Sequence, residues 1–133
     1  MNKKVMFSSV SDEWNTPKSF FDKLDKEFNF DSDPCPSSVP LKKGLINGWG
    51  NKVFVNPPYS KIKDWVNAGH YYRSTGKLVV MLIPSRTDTK WWHEYVMKSK
   101  EIRFIKGRLK FSGHKNSAPF PSVIVIFKGN DII

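Results

Sequence analysis

Apolar side chains recur at helical spacing soon after Pro17, at Phe20, Phe21, Leu24 and Phe28, so residues 18–27 are expected to form an amphipathic helix. Pro17 suits the first position of that helix and Thr16 its N-cap. Residues 28–33 then read as a short strand stopped by Pro34, and residues 34–50, rich in Pro, Ser, Gly and Lys, read as loop. Residues 52–55 are β-branched and aromatic, the signature of a buried strand. Helical spacing returns at Ile62, Trp65, Val66, Gly69 and Tyr72, with Gly76 placed to end the helix. The most apolar stretch, residues 78–83, predicts a central strand buried on both faces. Thr87 or Asp88 is placed to cap a third helix carrying Trp91, Trp92, Tyr95 and Val96. Residues 102–105, 109–111 and 123–127 are further strand candidates.

This order of elements predicts an α/β fold, a three-layer sandwich whose sheet is mostly parallel with an antiparallel end. The 133 residues fit one domain spanning 1–133. Residues 1–10 read as a polar lead-in, either disordered or ordered by a ligand. In such sheets ligands bind beyond the carboxyl ends of the strands. Asp33-Pro34, Asn56-Pro57-Pro58-Tyr59 and Pro84-Ser85-Arg86 each follow a strand candidate. That places three chemically capable loops at one edge.

Charge narrows the partner. Lys and Arg number 22 against 12 Asp and Glu, a formal net charge of +10, which favours an anionic partner, nucleic acid first. The excess is clustered. Residues 34–63 hold no acid but carry Lys42, Lys43, Lys52, Lys61 and Lys63. A second run carries Lys98, Lys100, Arg103, Lys106, Arg108, Lys110 and Lys115 against Glu101 alone. A single cysteine, Cys35, excludes an intrachain disulfide and a Cys-rich zinc framework, and the scattered His70, His93 and His114 predict no metal site. No signal peptide and no membrane-spanning segment is read, so an intracellular protein is expected.

Asn56-Pro57-Pro58-Tyr59 carries the chemistry. The exocyclic amine of a nucleobase is a poor nucleophile because its lone pair is delocalised into the ring. An amide oxygen (Asn56) and a backbone carbonyl (Pro57) that accept its two hydrogens favour a tetrahedral nitrogen and stabilise the charge that develops on it. The successive prolines fix φ and add no competing N–H, and Tyr59 offers a flat face to an extruded base. The tetrapeptide resembles the (D/N)PP(Y/F) signature of amino-nitrogen methyltransferases that use S-adenosylmethionine; an ordinary strand-to-loop turn reads the same way.

Further elements make the resemblance specific: Asp12-Glu13-Trp14-Asn15-Thr16-Pro17, Phe30-Asp31-Ser32-Asp33-Pro34-Cys35, Gly107-Arg108-Leu109-Lys110-Phe111 and Ala118-Pro119-Phe120-Pro121-Ser122. Together, from Asp12 to Phe127, they resemble the small DNA N6-adenine methyltransferases of bacteriophages and prophages, the Dam family. The resemblance implies a minimal S-adenosylmethionine-dependent methyltransferase fold and transfer of a methyl group to adenine N6 in double-stranded DNA. It implies a cytoplasmic site of action in a bacterial host. Catalysis would rest on Asn56, Pro57, Pro58 and Tyr59. Trp14, Thr16 and Pro17 would lie against the methionine end of the cofactor, whose carboxylate suits a helix N-terminus; a plain helix cap and a core Trp14 are the competing readings. Asp33, followed by Pro34, would receive the cofactor's ammonium group, with Asp31 its rival, and Asn56 would border the cofactor as well. Arg86, Arg108, Lys110 and Lys115 are the DNA-contact candidates, while Arg86 has a rival partner in Asp88, and the loop after Phe111 reads equally as a hairpin turn.

Two departures stand against the family pattern. Pro34-Cys35-Pro36-Ser37-Ser38 replaces the glycine-rich turn usual after the cofactor-binding acid, and residues 34–63 hold no acid for the ribose hydroxyls. Asn47, Asn51 or the N-terminal segment are left for that role. Cofactor binding is then weak, incomplete without DNA, or assisted by a second subunit in a homodimer. Methylation of another planar amine (an RNA base or a glutamine side chain) and an inactive basic nucleic-acid-binding module are the alternative functions.

Overall fold

In the computed structural model, the described residues are 15–35, 49–112 and 114–129. Helix α1 (Lys18–Phe28) is followed by β1 (Lys52–Val55), α2 (Ile62–Tyr72), β2 (Leu78–Pro84), the short α3 (Lys90–Glu94), β3 (Glu101–Phe104) and β4 (Ser122–Lys128). The sheet order is β1-β2-β4-β3. β1 and β2 are parallel, and β4 runs antiparallel to both β2 and β3. Three strands therefore share one direction, and the antiparallel member is the last strand in sequence, seated between β2 and β3. Residues 31–33 add a fragment beside β1, parallel to it through Ser32 and Val53. The short strand expected over residues 28–33 is reduced to this bridge.

Alternation along the strands builds two cores. Val53, Val55, Val79, Met81, Ile83, Val123, Val125 and Phe127 face one side and pack with Ile62, Trp65 and Val66 of α2 and with Trp92 and Val96. Phe54, Val80, Leu82, Ile124 and Ile126 face the other and pack with Leu24 of α1. Helices therefore cover both faces, which explains why β2 and β4 are apolar at almost every position. Phe21 meets Phe54 edge-on at 5.1 Å, and Phe30 lies 5.4 Å from the same ring. This aromatic cluster fixes α1 to the sheet.

Close approach of α2 depends on Gly69. A Cβ there would lie 2.9 Å from Met81 Sδ and 3.2 Å from the Phe127 ring. Gly76 ends the helical segment with φ 85°, as expected of a residue without a Cβ penalty in that region.

Three expected features differ. The N-cap of α1 is Pro17, with φ −59° and ψ 135°, and no side chain caps the helix; the Thr16 hydroxyl is engaged elsewhere. The cap of α3 is Thr89, whose side chain accepts from Trp92 N, in place of Thr87 or Asp88. Residues 109–111 form no strand: among the described residues this segment is held by the bridge of Ser112 to Asn15, the bond from Ala118 N to Leu109 O and the turn bond from His114 N to Phe111 O. Arg108 and Lys110 nevertheless remain exposed, while Leu109 packs against the α1-side core. Residues 1–10, Trp14, Lys42, Lys43 and Asn47 lie outside the described residues. Among the described residues no helix is long and apolar enough to cross a membrane, and no group of His, Cys, Asp or Glu could hold a metal.

Candidate active site

Strand direction brings four segments to one edge. The fragment ending at Asp33, β1 and β2 are mutually parallel, so Asp33–Cys35, Asn56–Tyr59 and Pro84–Arg86 leave the sheet at the same end. The β3–β4 connection, residues 105–121, starts and finishes there too, because Phe104 pairs with Val123 and Pro84 with Ser122. Ser85 N donates to Pro121 O at 2.9 Å, which joins two of these segments directly.

Asn56 follows the buried end of β1 and is itself half-buried. Its Nδ2 donates to Thr16 Oγ1 at 2.9 Å, across 40 positions of sequence. Thr16 is held in turn by the β3–β4 connection: Ser112 N donates to Asn15 O at 2.9 Å and Ser112 Oγ to Thr16 O at 3.4 Å. Pro57 is buried and Pro58 half-buried. The chain then turns into a single 3-10 turn at Tyr59–Lys61 that leads into α2.

Tyr59 packs against both cores and meets Phe120 edge-on, with centroids 4.8 Å apart. Burial pushes its hydroxyl well above the ordinary tyrosine value, and the nearby Arg86 offsets this only in part. Tyr59 therefore stays protonated throughout the physiological range. Phe120 is buried and lies 6.2 Å from Phe111, so an apolar wall rises beside Tyr59. Sequence reasoning assigned no role to Phe120 or Ser112; an aromatic between two prolines, Pro119 and Pro121, was the available signal for the first.

The two rival carboxylates have separate fates. Asp31 accepts from Asn51 N at 3.1 Å and from Lys52 N at 3.1 Å, and the Lys52 amide above all holds its carboxyl below the usual range. It is a structural clamp on the entry to β1. Asp33 accepts from Cys35 N at 3.2 Å. It keeps solvent contact, yet the protein mass around its carboxyl raises it above the usual carboxylate value, with the Cys35 amide opposing.

Among the basic candidates, Arg86, Arg108, Lys110 and Lys115 are all exposed. Arg86 makes no ion pair with Asp88 among the described residues. Arg103, part of the same basic run, is different: it forms a two-pronged pair with Glu27 at 2.7 and 2.6 Å and a further bond to Glu101 at 2.7 Å. Its charge is already matched.

Comparison with known proteins agrees with this arrangement. A model of the family described as DNA N-6-adenine-methyltransferase (Dam) matches residues 3–131. A DNA N-6-adenine-methyltransferase of Haemophilus phage HP1 (strain HP1c1) is 29% identical over 147 aligned positions, covering 96% of this chain and 85% of the phage protein. No solved structure matches the chain. With nearly its whole length matched, the chain belongs to the DNA N-6-adenine-methyltransferase (Dam) family.

Proposed function

We propose that this protein transfers a methyl group from S-adenosylmethionine to the N6 amine of adenine in DNA, with the target base turned out of the duplex toward Asn56-Pro57-Pro58-Tyr59. The observation that carries the reading is the position of that tetrapeptide. It leaves the carboxyl end of β1 with Asn56 joined to Thr16 and Tyr59 seated against Phe120.

The residues present fit the cofactor. The first turn of α1 contains no acid, so its free N–H groups suit a carboxylate, and Pro17 opens that turn. Asp33, with Pro34 behind it, suits an ammonium group, while Asp31 is occupied. When bound, S-adenosylmethionine supplies the methyl group as an electrophile. Asn56 and the Pro57 carbonyl accept the hydrogens of the amine and stabilise its developing positive charge. Tyr59, neutral and half-buried, offers its ring face for stacking, and Phe120 and Phe111 exclude water beside it. The proton leaves only once the nitrogen is positive, so no side chain is required as a base beforehand. Exposed Arg86, Arg108, Lys110 and Lys115 border this edge and suit phosphate contacts.

Incubation with methyl-labelled S-adenosylmethionine and unmodified duplex DNA, followed by nucleoside analysis, tests the reading. Label in N6-methyl-2′-deoxyadenosine is the expected result. Label in cytosine, in RNA or in protein only, or saturable DNA binding without transfer, contradicts it.

A further inference from the structure

We propose that Thr16 is a positioning residue for Asn56, tethering its amide beside the place that the substrate amine enters. This rests on the proposed role of Asn56 as an acceptor. A side-chain amide has one accepting and one donating end. Only the accepting end suits an exocyclic amine; the donating end would set one N–H₂ group against another. Thr16 Oγ1 accepts from Asn56 Nδ2 at 2.9 Å, and with the donating end so engaged, Oδ1 is the end turned away from Thr16.

Thr16 is well placed to hold that tether. Its carbonyl accepts from Ser112 Oγ, its neighbour Asn15 is bridged to Ser112, and Pro17 follows with its φ fixed by the ring. The residue is half-buried and its hydroxyl caps no helix end. A structural cap would have bonded the first turn of α1 instead.

The test compares Thr16→Val, Thr16→Ser and Asn56→Ala, singly and with Thr16→Val added to Asn56→Ala. Single-turnover methyl transfer, KM for DNA and calorimetric affinity for S-adenosylmethionine are measured on each. Misplacing a reacting group by about an ångström can cost on the order of a hundredfold. Thr16→Val is therefore expected to slow transfer by about tenfold to a hundredfold while KM and cofactor affinity hold, and Thr16→Ser to restore most of the rate. Asn56→Ala removes the tethered group and is itself expected to be slow. In that background Thr16→Val should lose most of its effect, the mark of two residues acting as a unit.

A wild-type rate in Thr16→Val overturns the proposal. So does a loss confined to cofactor affinity, which would make Thr16 a cofactor contact, or an equal loss in the Asn56→Ala background. A near-normal rate in Asn56→Ala overturns it as well, because the tethered amide would then not be what the reaction uses. If Thr16→Val fails to fold, Thr16→Ala takes its place. Absence of transfer by the unaltered protein would instead defeat the underlying reading and leave the cause distinguishable.

Discussion

Phe120 meets Tyr59 nearly edge-on, with ring centroids 4.8 Å apart and planes inclined at 68°. This contact fixes the tyrosine ring from the β3–β4 connection, and Tyr59 cannot ionise at working pH. Its face and not its hydroxyl is then the useful part. Tyr59→Phe should keep most methyl transfer, whereas Tyr59→Ala should lose about 1–3 kcal/mol of base capture. Fluorescence of 2-aminopurine at the target position, read alongside turnover, checks this. Equal loss in both variants would assign the hydroxyl a chemical part.

The carboxylates should separate cleanly. Asp31 ties the backbone of Asn51 and Lys52 at the entry to β1, so Asp31→Ala should lower the melting temperature and leave cofactor affinity per folded molecule unchanged. Asp33→Asn should do the reverse. Calorimetric titration with S-adenosylmethionine and thermal melts on both variants decide the assignment, and weakened cofactor binding in Asp31→Ala alone would exchange the two roles.

DNA affinity should fall steeply with salt, by about 0.9 log units per log unit of salt for each phosphate neutralised. Arg108 and Lys110 are exposed on either side of the half-buried Leu109, so replacing both with Ala should reduce that slope and weaken binding to all sequences alike. Arg103→Ala should not reduce the slope, because Glu27 and Glu101 already match its charge. A double variant with normal affinity but altered target preference would mean that this segment reads bases.

His70 supplies a pH signature. Its ring lies 5.4 Å from Tyr95 and 6.2 Å from Phe127, and its buried Nε2 has no hydrogen-bond partner among the described residues. Burial chiefly, then Arg73 and Lys98, depress its protonation below the ordinary 6.5. The folded state thus binds the proton less readily than the unfolded chain. Stability contributed by neutral His70 is present above about pH 6.5 and declines as pH falls from there toward the lower folded value. His70→Phe should flatten that decline in melting curves between about pH 7 and 5; an unchanged pH dependence would remove His70 as its source.

Most of the sheet was legible in the sequence because its strands are either uniformly apolar or bounded by loop residues. Residues 52–55 match β1 and residues 78–83 all but match β2. Residues 109–111 misled because Leu109 and Phe111 alternate with Arg108 and Lys110 as in a strand. Alternation records which side chains are buried, not whether the backbone has a ladder partner, and here the segment instead packs beneath Phe120. Thr16 misled in a related way: a threonine before Pro at a helix start has the composition of a cap, yet its partner is Asn56, 40 positions away. The loops that meet at the carboxyl edge were readable in advance from strand order alone. Their contacts with one another, Tyr59 to Phe120 and Ser85 to Pro121, depend on β4 inserting antiparallel between β2 and β3, which no local pattern reports.

The central claim is that Asn56 accepts from the amine that attacks the methyl group. Single-turnover transfer of labelled methyl to duplex DNA by folded Asn56→Ala, compared with the unaltered protein at saturating DNA and cofactor, tests it most directly. A rate lower by about a hundredfold or more is expected, with cofactor affinity nearly unchanged. A near-normal rate of N6-methyl-2′-deoxyadenosine formation in that variant would contradict it.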